Sequence, residues 1–180
     1  KPHGIYWPTM LLSAGIPLFQ NLFVHGYWLG LNDLKMSKSL ANAFNPMEFI
    51  RDMGADSLRY FLAREMSFGS DSRFSLEILQ NRINQDLSNN LGNLAQRTMS
   101  MIKKYTGGLI PKIIPETGQI LPEYVRYNEM LGEINEKYHH AMQNFQFSRA
   151  LEFVFELITD LNRLIEEKKP WEMAKQKSGD

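Results

Sequence analysis

Lys35-Met36-Ser37-Lys38-Ser39 places two ammonium groups and two hydroxyls in five consecutive positions. Gly30, Asn32 and Asp33 precede them, so the stretch reads as a loop rather than the interior of a helix or strand. A loop of this composition can close over a polyphosphate and oppose the charge that develops when pyrophosphate leaves. Lysine supplies a point charge that can follow a moving phosphate, and serine adds donors that do not titrate. A lone K-x-x-K would better suit a solvated polar loop. The complete pentapeptide points to phosphate chemistry.

The flanking elements must position that loop. Ile5 to Leu12 reads as a helix closed by Gly15 and Pro17. Leu22 to Trp28, rich in β-branched and aromatic residues, reads as a buried strand leading into the loop. That geometry suits a ligand site at the carboxyl end of a parallel sheet. One strand makes no sheet, so its neighbours are expected upstream of this chain. After the loop, Asn45-Pro46 begins a helix with Asn as cap and Pro at the first position. It ends near Gly54, and a second helix runs from Ala55 to Glu65 with Leu58, Phe61 and Leu62 on one face. Phe68 to Arg73 is turn-rich and marks an expected domain boundary.

The remainder reads as helices. Leu76, Leu79, Ile83, Leu87, Leu91, Leu94, Thr98, Met101 and Tyr105 recur at steps of three and four, the stripe of one long amphipathic helix. Gly92 in its middle costs roughly 1 kcal/mol relative to Ala, which points to close packing or a bend. Gly107-Gly108 ends the helix, and residues 109–122, with Pro111, Pro115, Gly118 and Pro122, read as an irregular connector. A second helix carries Leu131, Ile134, Tyr138, Met142 and Phe145. A third runs from Ser148 to Lys168 and is broken by Pro170, and Trp171 begins another.

Composition sets limits. Lys plus Arg and Asp plus Glu number 20 each, so the chain does not grip nucleic acid by bulk charge, and RNA binding must rest on a few placed residues. The absence of cysteine excludes disulfides and thiolate zinc sites. His3, His25, His139 and His140 lack the acidic neighbours of a metal-ligand pattern, so no metal is expected. No apolar run approaches the roughly 20 residues of a membrane span. The N-terminus has no signal-peptide form and opens as though within a fold, so the chain reads as part of a longer protein.

Several separate segments carry a family resemblance. They are His3-Gly4-Ile5-Tyr6-Trp7-Pro8, Val24-His25-Gly26-Tyr27, the Lys35–Ser39 loop, Asp56-Ser57-Leu58-Arg59-Tyr60-Phe61, Asn93-Leu94-Ala95-Gln96-Arg97 and Lys169-Pro170-Trp171. The loop matches the signature loop of class I aminoacyl-tRNA synthetases, and the whole set resembles the methionyl-tRNA synthetase family, in its bacterial or organellar branch. The loop alone does not separate this family from the synthetases for Leu, Ile, Val or Cys. The last two segments, at their spacing from it, do.

The resemblance implies a mostly α chain: the end of a Rossmann-type α/β catalytic domain (1–44, with the loop), a helical connector (45–72) and an incomplete antiparallel helical bundle that binds the anticodon (73–180). It implies ATP-dependent activation of methionine followed by transfer to its tRNA, with ATP and Mg2+ as substrate. Lys38 would bind ATP and stabilise the adenylation transition state, while Lys35, Met36, Ser37 and Ser39 would form the closing loop. His25 and Gly26 would lie on the strand end facing adenine, and His3 in the methionine pocket. Asn93, Arg97 and Trp171 would read the anticodon CAU. An amide and a guanidinium four residues apart share a helix face and can bond base edges, and an indole can stack on a base.

From the residues alone, His3 suits an exposed position, His25 a satisfied structural histidine, Asn93 and Arg97 a polar helix face, and Trp171 a bundle cap. The family's His-containing helix start is absent, so the isolated chain is expected to be inactive and to bind no cofactor by itself. The cytoplasm is the expected compartment, with the mitochondrial matrix as the alternative. Two further readings remain: a non-catalytic module that binds the anticodon, or a different class I synthetase.

Overall fold

The computed structural model describes residues 1–30, 33–37, 44–110, 118 and 120–177. Among them the chain is mostly α, as expected, with one short parallel strand pair. A π-helical turn, Pro2–Tyr6, leads into α1 (Trp7–Ser13), and Gly15 closes it with φ +68°. α2 (Pro46–Met53) and α3 (Ala55–Glu65) follow the loop. The Asn45 side chain accepts from Met47 N–H at 3.1 Å, and Pro46 holds the first helical position, as those residue types predict.

The expected buried strand at Leu22 to Trp28 is not formed. Among the described residues only Trp28–Leu29 (β1) forms a strand there, and its partner within this chain lies downstream: β2 (Ser72–Arg73), parallel, with Trp28 opposite Ser72. The stretch from Phe68 to Arg73 therefore ends in a strand rather than being turn throughout. Leu22, Phe23, Val24 and Tyr27 are exposed. An apolar run alone does not fix whether a neighbour exists to cover it. Here the backbone is docked instead. Ser72 N–H donates to Tyr27 O at 2.9 Å, Phe74 N–H to Leu29 O at 2.8 Å, and Tyr27 N–H to the Asp71 carboxylate at 2.6 Å.

A continuous run of helical backbone covers 76–106. It comprises α4 (Leu76–Arg82), a π-helical segment (Ile83–Gly92) and α5 (Asn93–Thr106), with no break in φ or ψ at either junction. Ser75 caps it by accepting from Ile78 N–H at 3.1 Å. The role of Gly92 is local: a Cβ there would lie 3.0 Å from Leu87 O, the carbonyl that the π winding brings close. Gly107, at φ +64°, ends the helix. α6 (Pro122–Gln143) starts at Pro122 itself, so that residue opens a helix rather than closing a connector. The expectations for Pro111 and Pro115 lie outside the described residues.

α6 and α7 (Phe147–Lys168) form an antiparallel hairpin, and α8 (Pro170–Lys177) follows after Lys169 turns left-handed at φ 43°. Buried Ala141 and Ala150 lie one on each arm of the hairpin, with Ile134, Phe155 and Ile158 completing its core. Phe145 is not on the α6 stripe. It occupies the turn at φ 60°, where its ring meets Phe23 at 4.0 Å and approaches Phe68 and Phe147. This aromatic contact ties the exposed segment before β1 to the hairpin turn.

A second core lies beneath the loop: Phe49, Leu58, Phe61, Phe74, Leu79 and Ile83, with Trp28, Met36 and Phe44 packed against it. Phe61 and Leu79 are fully buried, whereas Leu62, Leu76 and Leu131 are exposed and leave their expected apolar faces. α3, the π segment and α7 are joined by charge. Arg64 meets Glu152 at 3.2 Å and Asp86 at 3.5 Å, Tyr60 O–H donates to Asp86 at 2.6 Å, and Arg82 pairs with Glu65 at 2.8 Å.

Candidate functional site

The start of the signature loop, at Met36, and Phe44 beyond it rest on the core beneath. At the first end the chain doubles back after β1. Asp33 takes φ 57°, Gly30 N–H donates to Leu34 O at 2.9 Å, and Met36 N–H donates to Trp28 O at 3.1 Å. Lys35 forms an antiparallel bridge with Leu29, and its ammonium lies 3.9 Å from the Tyr27 ring centroid, within reach of a cation–π attraction. Asp33 and Arg73 form a two-toothed ion pair at 2.7 and 2.9 Å. The Arg73 hydrogen bond holds the Asp33 carboxyl below its ordinary value. Trp28 stacks on Phe61 with centroids 5.7 Å apart, and Phe44 packs on Phe74 at 4.6 Å.

The structure thus brings Lys35, Met36 and Ser37 to an anchored root. Lys38 and Ser39 lie outside the described residues. Gly26 has a local reason for its identity: a Cβ would fall 2.0 Å from Ser70 O, so only glycine admits this approach of two backbones. His25 is exposed, with Nδ1 2.8 Å from Gly26 O. His3 is exposed on Pro2–Tyr6.

The second assembly lies between α5 and α8. The Arg97 guanidinium is 5.8 Å from the Trp171 ring centroid and 2.6 Å from the Glu166 carboxylate. Asn93, one turn earlier on α5, is exposed and donates to Asn89 O at 2.8 Å. Asn90 has a different task, bonding Thr159 at 2.9 Å and Asn162 at 2.8 Å to fasten the π segment to α7. The Asn-rich run therefore divides between packing and surface. Two hollows adjoin Trp171. One is lined by Arg97, Ser100 and Met101, the other by Pro170, Met173 and Ala174, and both share Lys104 and Tyr105.

A family model described as tRNA synthetases class I (M) matches residues 1–99. The chain belongs to that family. It is 40% identical over 174 residues to a methionine–tRNA ligase of Thermotoga maritima, covering 97% of this chain and 27% of that protein. It is 44% identical over 176 residues to the methionine–tRNA ligase of Caldanaerobacter subterraneus, covering 98% of this chain and 27% of the relative. Mycobacterium tuberculosis methionyl-tRNA synthetase bound by methionyl-adenylate superposes with a TM-score of 0.84 at 35% identity, covering 96% of this chain and 33% of that one. The same enzyme in its apo form gives 0.78 at 32% identity, over 96% and 32% of the two chains. The chain spans about 27% of the length of the curated relatives it matches.

Within this chain the residues that sequence reasoning missed are Tyr27, Asp33 and Arg73 at the loop root, and Lys104, Tyr105 and Glu166 around Trp171. Tyr27, Asp33, Arg73 and Glu166 each act through a partner distant in sequence, so no local spacing announced them. Among the described residues no cluster of His, Cys, Asp or Glu suits a metal ion, and no helix is long and apolar enough to cross a membrane.

Proposed function

We propose that this chain is the part of a methionine–tRNA ligase that carries the signature loop and the helices that read the tRNA. The observation that carries the reading is the meeting of Arg97 and Trp171 across α5 and α8. The pair offers a hydrogen-bonding guanidinium beside an aromatic face, the chemistry that recognises an unstacked base. The names of the relatives, over nearly the whole chain, support it.

In this reading the parent enzyme uses ATP with Mg2+ to form methionyl adenylate and releases pyrophosphate. Lys38 opposes the charge on the departing phosphates, and Lys35, Met36, Ser37 and Ser39 shape the loop. His25 and Gly26 border adenine, and His3 borders methionine. Asn93, Arg97 and Trp171 read CAU. The division at 1–44, 45–72 and 73–180 serves catalysis, connection and anticodon reading in turn. The cytoplasm is the working compartment, with the mitochondrial matrix as the alternative.

The test compares binding of the chain to hairpin RNAs with CAU or an altered anticodon in the loop. CAU binds more tightly in this reading, and equal affinity overturns it. Methionine-dependent ATP–pyrophosphate exchange by the chain alone is expected to be absent. Clear exchange would refute the view that the chain lacks part of the adenylation site.

A further inference from the structure

Phe145 sits where its residue type is disfavoured. It occupies the turn between α6 and α7 with φ 60°, the left-handed region that glycine enters readily and a bulky aromatic residue rarely does. Asn144 before it and Gln146 after it keep φ −95° and −87°, so the strain is confined to one residue. Such strain persists only where the surroundings over-determine it, and it collects where a group must be held in place.

What holds Phe145 is its ring. The centroid lies 4.0 Å from that of Phe23 and 6.1 Å from that of Phe68, and Phe23 and Phe68 meet edge-on at 6.3 Å. The left-handed turn thus aims one ring at two segments. Phe23 leads into Gly26 and Tyr27, and Phe68 leads into Ser70, Asp71 and Ser72, the backbone docked against them. The turn is fixed from its other side as well. Ser148 O–H donates to Arg64 O at 2.8 Å, and Arg64 reaches Glu152 at 3.2 Å. The start of α7 is thereby tied to the end of α3, and the Phe145 ring arrives at a set point.

This cluster is not a core. Phe23 is 52% and Phe68 38% exposed, so the rings bury little area and add little to stability. A half-exposed cluster that costs backbone strain serves position instead.

Resting on the ligase reading, the geometry points to Phe145 as a positioning residue for ATP. Through Phe23 it sets the place of His25, Gly26 and Tyr27, the segment that borders adenine in that reading. Phe145 touches no reactant. It steadies a backbone whose own strand pairing is only two residues long.

Two measurements test this. In the chain itself, amide exchange reports the segment directly. Phe145→Gly removes the ring and relieves the strain, so the melting temperature should hardly move. Exchange at the Tyr27 and Ser72 amides should nevertheless accelerate roughly 2- to 10-fold, the worth of an aromatic pair. Phe23→Leu should accelerate the same amides, and Phe145→Gly added to it should contribute nothing further. Phe23→Tyr keeps the ring and should leave both amides as in the unsubstituted chain. In the full-length ligase that contains this chain, Phe145→Gly should raise KM for ATP in methionine-dependent ATP–pyrophosphate exchange by a similar factor, with kcat and KM for methionine little changed. The inference is overturned if Phe145→Gly leaves both amides protected, if it lowers the melting temperature and speeds exchange throughout the chain alike, or if KM for ATP and for methionine rise together. If the unsubstituted full-length protein shows no methionine-dependent exchange, the ligase reading falls and takes the role toward ATP with it, whatever the amides show.

Discussion

The Arg97 guanidinium is held between a carboxylate and an indole: Glu166 at 2.6 Å on one side and the Trp171 ring at 5.8 Å on the other. Glu166 is 62% exposed on its side chain and Arg97 33%, so the pair is half in water and its own contribution to stability is small. Its use is orientation. A base that bonds Arg97 must fit around a carboxylate that accepts only, and a phosphate there meets repulsion. Glu166→Gln is therefore expected to tighten binding to hairpins of altered anticodon more than to CAU. Titration of both RNAs at one salt concentration checks this, and equal gains would remove Glu166 as a selectivity element.

Phe61 is fully buried and stacked under Trp28. Phe61→Ala should cost about 3–5 kcal/mol. Because Trp28 belongs to the loop root, its fluorescence should shift toward that of a solvated indole even in the folded state. Denaturant titration followed by circular dichroism and by fluorescence measures both.

Asp33→Asn should loosen the loop root without unfolding the chain. The Asp33–Arg73 pair is solvent-exposed, so the expected signature is local: faster amide exchange at Gly30 and Met36, with the melting temperature hardly moved. The Asp33 carboxyl is depressed in the folded chain by Arg73. Its contribution is thus complete above the ordinary carboxylate value and is lost as pH falls through the folded value. Exchange protection at the root should decline on acidification below about pH 4, and Asp33→Asn should remove that dependence.

Glu152 answers to acid in the same sense. Hydrogen bonding from Arg149, and beside it the charge of Arg64, holds its carboxyl below the ordinary value. The tie between α3 and α7 is present above the unfolded value and weakens as pH drops through the folded one. The melting temperature of Glu152→Gln should fall less steeply between pH 5 and pH 3 than that of the parent, and parallel curves would exclude this carboxylate from acid unfolding.

Gly26→Ala should displace the chain before β1, because its Cβ would overlap the Ser70 carbonyl. Proteolysis near Phe23 to Tyr27 should accelerate. Unchanged cleavage would show that the two backbones can separate at little cost.

The elements that were legible in the sequence were those marked by local chemistry. Asn45, Pro46 and Gly54 bracket α2 because capping and φ preferences act within a few residues. The pairing of Trp28 with Ser72 was not legible, since nothing near Trp28 encodes a partner that far downstream. Phe145 followed the helical period yet left the helix, because an aromatic contact with Phe23 outweighed the period. Asn93, Arg97 and Trp171 were named through family likeness. Their bare residue types fit a polar surface and a bundle cap equally well, and only the folded chain places Arg97 against Trp171.

The unbroken backbone from 76 to 106 also works as a ruler. Ile83 is seated in the core under the loop, and Arg97 lines the hollow beside Trp171. The run between them winds through the π segment and the first turns of α5. A residue added or removed between Ile83 and Asn93 would rotate both Asn93 and Arg97 around the axis relative to the core. Length and phase in this stretch are therefore fixed together: substitutions are tolerable there, but a single-residue insertion or deletion would turn Asn93 and Arg97 away from Trp171 while leaving the loop root in place.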